Sequence, residues 1–333
     1  MEKFSGGIEK DRIIRRYMSF ENFEKLVKSQ TMYFSRFDSF DDRLEGGVNA
    51  RNFSSISNSL EVFDTFNLSW PSTRPRHEDE IAELQEVQTK INTETFPSLF
   101  GPQKKIDGDA YLQHISSWLY ASCWTDLSHE CHAMWNLFGS SGSNCHHESE
   151  CIECKKTLGN SVCIETTIGS VEDSIEIKEG YNLAVRKVDY LDHRKTVFDE
   201  NDMIYRPFFS KALHFSYESE VRFMLWPDRK DINFSYKYQK STVNNIPSIQ
   251  LRIKDMGSFI NKIILSPLPP KKTKEITRQH MEQYKSALGL KEALSNVDLE
   301  KKVRGLLEDR EINVDIVDSD LNQIRVTDCY TLG

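Results

Sequence analysis

No run of apolar residues in this chain approaches the roughly 18 that a membrane-spanning helix needs, so no membrane partner is expected. The first ten residues, Met1 to Lys10, are polar and lack an apolar centre, so no export signal is expected either. Positive charge is in deficit. Lys and Arg number 43 against 51 Asp and Glu, and the net charge of −8 removes any global drive towards nucleic acid while leaving room for a local basic patch. Cysteines number seven, an odd count that fits no closed disulfide framework and points to reduced thiols and the cytoplasm. No internal repeat is visible, which sets aside solenoid and propeller architectures.

What is present is enough for a substantial core. The 333 residues are 38% hydrophobic and 11% aromatic, a length that suits about two domains or one large domain with insertions. Short β-branched and aromatic runs alternate irregularly with amphipathic stretches. The pattern predicts a single α+β body over 1–333 with a mixed, mostly antiparallel sheet and flanking helices. A helical insertion is expected over 52–108, a Cys/His-rich loop insertion over 129–160 and a helix-strand extension over 289–333. Strands are expected at 12–18, 31–35, 120–125, 162–166, 184–190, 221–226, 248–253, 261–266 and 312–317. Ser19 should cap a helix whose apolar face is Phe20, Phe23, Leu26 and Val27. Ile81, Leu84, Val87 and Ile91 mark an amphipathic helix, with breaks at Gly101-Pro102 and Asp107-Gly108. Further helices are expected over 111–119, 202–213, 271–287 and through Leu299, Val303 and Leu306.

Three groups of residues carry possible chemistry. Glu218 and Glu220 sit one residue apart where the 221–226 strand begins, and in extended backbone both would face one side. Arg222 continues that row and would keep at least one acid ionised. The plainer reading is a solvated strand edge with a local ion pair; if Glu220 serves a cleft and is half-exposed, Glu220→Gln should remove its charge and barely disturb folding. The second group is His129, Cys131, His132, Cys145, His146, His147, Cys151 and Cys154. Cys151 and Cys154 form a C-x-x-C, half of a structural zinc site, with Cys145 and His147 as further ligands; the plainer reading is a loop of free thiols. The third is the loop carrying Asp38, Asp41, Asp42 and Glu45, read either as an ordinary turn or as the acids of a metal-dependent nuclease.

The order of these strings permits a comparison. Arg15 and Tyr17 on the first strand, "SFENFEKLVKSQTMYFSRFDSFDDRLEG", "ASCWTD", "HAMWNLFG", "SVCIE" and "KALHFSYESEVRF" together resemble the bacterial family known as domain of unknown function 2971. That resemblance runs from about Ile13 to Leu288 and implies a fold more readily than a reaction. A second resemblance is mechanistic: the Arg, the Ser/Thr strand and Glu-x-Glu in "YESEVRFMLWP" are similar to arginine-serine-glutamate ADP-ribosyltransferases. It implies NAD as substrate, a protein or nucleic-acid target, and a role in toxicity or phage defence. By that resemblance Glu220 would be the catalytic acid and Glu218 the substrate-positioning one. Arg15 would anchor NAD, with Arg16 as the alternative, and Ser122 or Thr125 would orient the glutamate. Tyr17, Trp135 and Arg222 complete the expected NAD-contacting set. Cys123-Trp124 departs from the usual compact Ser-Thr-Ser. The competing functions are a zinc-stabilised protein- or nucleic-acid-binding module and the metal-dependent nuclease.

Overall fold

The computed structural model describes residues 3–5, 7–40, 50–59, 62, 75–139, 159–199, 201–235, 242–268 and 296–322. Strands β1 (Lys3–Ser5) and β2 (Ile13–Ser19) precede helix α1 (Phe20–Ser29), and β3 (Thr31–Arg36) follows it. Helices α2 (Ala50–Ile56) and α3 (Glu78–Thr93), the short β4 (Thr95–Phe96) and β5 (Gln103–Lys104), and helix α4 (Gly108–His114) lead to β6 (Tyr120–Thr125). Helix α5 (His132–Phe138), β7 (Ser161–Thr167), α6 (Ile168–Ser174), β8 (Ile175–Glu176), β9 (Tyr181–Lys187), β10 (Asp189–Leu191) and β11 (Ser210–Ala212) come next. The remaining elements are β12 (Glu220–Pro227), β13 (Ser248–Ile253), α7 (Met256–Phe259), β14 (Lys262–Leu265), α8 (Val297–Glu308) and β15 (Asp315–Val317).

The chain divides into two compact units. The first comprises Met1–Gly7, Tyr33–Ser122 and Ile177–Ile249. Within it β9 runs parallel to β1 and antiparallel to β12, β3 lies antiparallel to β6 through Ser35 and Ala121, and β10 pairs parallel with β11. Every residue of β12 is buried, which is why its sequence reads as a continuous β-branched and aromatic run rather than an alternation. Gly108 opens α4 instead of breaking the chain. A Cβ there would lie 2.3 Å from the Ile56 carbonyl oxygen, so only glycine admits that approach.

The second unit comprises Ile8–Met32, Cys123–Glu176 and Gln250–Gly333. Here β2 pairs antiparallel with β7 from Ile13 opposite Thr167 to Ser19 opposite Ser161. β14 is antiparallel to β7 and parallel to β15, and β13 is antiparallel to β8. Helix α1 forms for the expected reason: the Asn22 backbone N–H donates to Ser19 Oγ at 3.3 Å, and Phe23, Leu26 and Val27 are buried. Pairing in both units is mixed and mostly antiparallel, and the class is α+β as the sequence indicates.

Several local expectations fail. The 202–213 stretch is two short 3-10 turns, Asp202–Ile204 and Arg206–Phe209, followed by β11, because Pro207 cannot donate into a continuous helix. The expected 184–190 strand is split between β9 and β10, where Val188 turns its N–H to the Glu220 carbonyl at 2.9 Å. Along α3 only Ile91 is buried, so the apolar stripe through Ile81 is not a core face. The last strand is limited to Asp315–Val317, and the helix expected at 271–287 lies outside the described residues.

Candidate active site

In the first unit the pairing of β10 with β11 sets Tyr190 opposite Lys211. From there the chain makes the 3-10 turn Leu213–Glu218 and enters β12 through Ser219, whose backbone is left-handed at φ 43° and ψ 54°. Glu218 therefore ends a turn and does not extend the strand, so the two-residue spacing does not place it beside Glu220 by strand geometry. Lys211 unites them instead. Its Nζ donates to Glu218 Oε2 at 2.8 Å and lies 3.5 Å from Glu220 Oε2, and it also sits 4.8 Å from the centre of the Phe215 ring. The Glu220 backbone N–H donates to the Tyr190 hydroxyl at 2.8 Å. Left-handed backbone costs a side-chain-bearing residue about 1–2 kcal/mol, and more where the side chain is β-branched. Serine already carries that cost, so Ser219→Gly is expected to raise stability by up to about 1 kcal/mol and Ser219→Val to lower it, each read as a shift in the urea midpoint at unchanged slope.

Arg222, two residues further along a true strand, does share a side with Glu220. Its Nε donates to Glu220 Oε1 at 2.7 Å, its Nη1 donates to the Phe208 carbonyl at 2.6 Å, and its guanidinium lies 4.9 Å from the Phe37 ring centre. Glu220 is 3% exposed and Arg222 0%. This is a buried ion pair and not a solvated strand edge, so the half-exposure on which a mild effect of Glu220→Gln on folding depended is not met. Burial raises the Tyr190 phenol pKa, with the nearby Glu220 and Glu218 carboxylates adding to the rise, so the hydroxyl stays protonated. The chemical result is an anion held in a water-poor setting, with a buried guanidinium on one side and a partly exposed ammonium on the other.

The other expected residues are placed as follows. Ser122, in the first unit, and Thr125, in the second, are both buried on β6, and Thr125 Oγ1 accepts the Leu127 N–H at 3.3 Å. Arg15 belongs to the second unit, where Nε donates to Glu165 Oε2 at 2.8 Å and Nη1 donates to the Leu127 carbonyl. Lys262 Nζ donates to the other Glu165 oxygen at 2.6 Å. Arg16 instead places its guanidinium 5.7 Å from the Trp124 ring centre. Tyr17 and Trp135 are buried in edge contact at 4.8 Å; the Tyr17 hydroxyl accepts the Cys131 N–H at 3.3 Å, and Trp135 Nε1 donates to Glu130 at 3.0 Å.

Glu165 carries a pH consequence. Burial alone would raise its pKa, but hydrogen bonds from Lys262 and Arg15 outweigh burial and hold it below the ordinary glutamate value. A folded pKa below the unfolded one gives stability that is complete above the unfolded value and lost as pH falls through the folded one. Urea midpoints of the wild type should thus fall between about pH 5 and pH 2 more steeply than those of Glu165→Gln.

Lys211, Tyr190, Phe37 and the Phe208 carbonyl were invisible as site members in the sequence. No spacing rule joins Lys211 to Glu218, and a backbone carbonyl carries no sequence signal. Cys145, His146, His147, Cys151 and Cys154 lie outside the described residues, as do Asp41, Asp42 and Glu45. Among the described residues no group of three or more His, Cys, Asp or Glu is disposed to hold a metal. Asp38 accepts from Arg36 Nε at 2.6 Å, and His132 contacts Asn136 at 3.0 Å. No helix among the described residues is long and apolar enough to cross a membrane.

No protein-family model matches the chain, and no curated protein does. Among solved structures, the chain is similar to Thermus sp. 2.9 DarT in complex with ADP-ribosylated ssDNA, at 8% identity and a TM-score of 0.32. That alignment covers 96% of this chain and 97% of the other.

Proposed function

We propose that this protein cleaves the nicotinamide–ribose bond of NAD and passes ADP-ribose to an acceptor, a protein, a nucleic acid or water. The carrying observation is the buried Glu220 carboxylate at the head of β12, kept anionic by Arg222 at 2.7 Å and met by Glu218 through Lys211. Heterolysis sends the C–N electron pair to the nicotinamide ring, which leaves neutral, and the ribosyl carbon becomes oxocarbenium-like. A fixed carboxylate in a water-poor setting stabilises that cation without reorganising at the moment of reaction. The acceptor oxygen or nitrogen then bonds to the carbon and gives up its proton. In this reading Glu220 supplies the negative charge, Glu218 positions the substrate, and Lys211 moves off Glu220 to admit the ribose. The order of motifs along the sequence supports the same assignment.

The reading is tested by incubating the purified protein with NAD carrying label in its adenylate half. Nicotinamide release with label moving to nucleic acid or protein marks a transferase. Release with free ADP-ribose marks a glycohydrolase. Intact NAD with every acceptor tried ends the proposal.

A further inference from the structure

By resemblance Arg15 or Arg16 would anchor NAD and Arg222 would contact it, yet the Arg16 guanidinium lies against Trp124 and those of Arg15 and Arg222 are committed to hydrogen bonds within the protein. Arg186 on β9 is not. In the antiparallel β9–β12 pair Arg186 stands directly opposite Arg222, and directly opposed residues project from the same side of a sheet. Arg222 finds Glu220 there. Arg186 makes no ion pair among the described residues, and its Nε is buried without a hydrogen-bond partner. Two aromatic rings hold it in place: its guanidinium carbon lies 5.1 Å from the Tyr205 ring centre and 5.8 Å from that of Phe209. The turn Arg206–Phe209 thus serves both arginines, with the Phe208 carbonyl on Arg222 and the Phe209 ring on Arg186.

The charge balance makes this arrangement unusual. Lys211 pairs with Glu218 and Glu220, and Arg222 with Glu220, whereas Arg186 pairs with no described acid. Like charges directly opposite one another across a strand pair are unfavourable, and a buried donor left unpaired costs free energy. An anion that accepts from the Arg186 guanidinium would offset the opposition of like charges. Stacking on rings fixes the plane of a guanidinium, and a fixed planar fork matches the oxygens of a phosphate or diphosphate.

The geometry points to Arg186 as the seat for the diphosphate of a nucleotide ligand, on the same side of the β9–β12 pair as Glu220. The identity of that nucleotide as NAD rests on the proposed function; the diphosphate seat itself does not. The roles are then divided within one unit: Arg186 takes the phosphates and Glu220 faces the ribosyl carbon.

The test is equilibrium binding by calorimetry of NAD, ADP-ribose and inorganic pyrophosphate to wild type, Arg186→Met and Arg186→Lys. Wild type should bind ADP-ribose, and Arg186→Met should weaken that binding by at least ~10-fold, the loss of a charged bidentate contact. Arg186→Lys keeps the charge but loses the fork, and an intermediate loss is expected; it also covers the case in which the methionine variant does not fold. ADP-ribose binding by wild type that neither variant weakens overturns the seat while leaving NAD cleavage standing. Pyrophosphate binding that depends on Arg186, without any binding of NAD or ADP-ribose, supports the seat and removes NAD as its ligand. No binding of any of the three ligands to folded wild type overturns the seat outright.

Discussion

Glu220→Gln is expected to cost about 3–5 kcal/mol of stability, far more than a surface glutamate would. The reason is Arg222. With 0% exposure it keeps its charge inside the protein, and once Glu220 is neutral that charge loses its paired carboxylate while the Phe208 carbonyl and the Phe37 ring supply only dipoles. Breaking one side of a buried pair strands the other, whereas replacing both sides with apolar groups of similar size is often neutral. The double variant Glu220→Gln with Arg222→Met strands no guanidinium and should recover part of the loss, the rest being the cost of a buried amide at 220 and of the Phe208 carbonyl losing its donor. Urea unfolding of the two singles and the double gives the coupling directly, and a double variant no more stable than Glu220→Gln would contradict this account.

The second large effect concerns rate. Removing a preorganised charge that opposes charge developing in the transition state typically costs ~10²–10³ in turnover. Nicotinamide release should fall by about that factor in Glu220→Gln, measured at a temperature where the variant is folded. Glu218→Gln should do less to turnover and more to KM, since it removes a contact made to bound substrate as well as to the transition state. Because Lys211 joins both acids, the two losses should not add.

Much of the fold was legible because local signals agreed with tertiary ones. Ser19 preceded a clean apolar face and does cap α1; the run Val221 to Trp226 is β12 because both sides of that strand are covered. Misreadings fell where one residue redirects the backbone. Pro207 splits an apparent helix into turns, and those turns carry Phe208 and Phe209 onto Arg222 and Arg186. Ser219 takes a left-handed conformation that glycine would have advertised and serine does not, so Glu218 and Glu220 meet at Lys211 rather than through strand alternation. The acids themselves were legible by type and order. Their partners were not: Lys211 arrives through a parallel two-strand pairing, and Arg186 through a strand register, and neither leaves a mark in the sequence.

The most direct test of the central claim is nicotinamide release from NAD by wild type and by the Glu220→Gln, Arg222→Met double variant, side by side. The double variant removes the carboxylate charge without stranding a buried cation, so its fold and its chemistry are read separately. Wild type should release nicotinamide and the folded double variant should be slower by ~10²-fold or more. A folded double variant as fast as wild type, or a wild type that leaves NAD intact, would contradict the account.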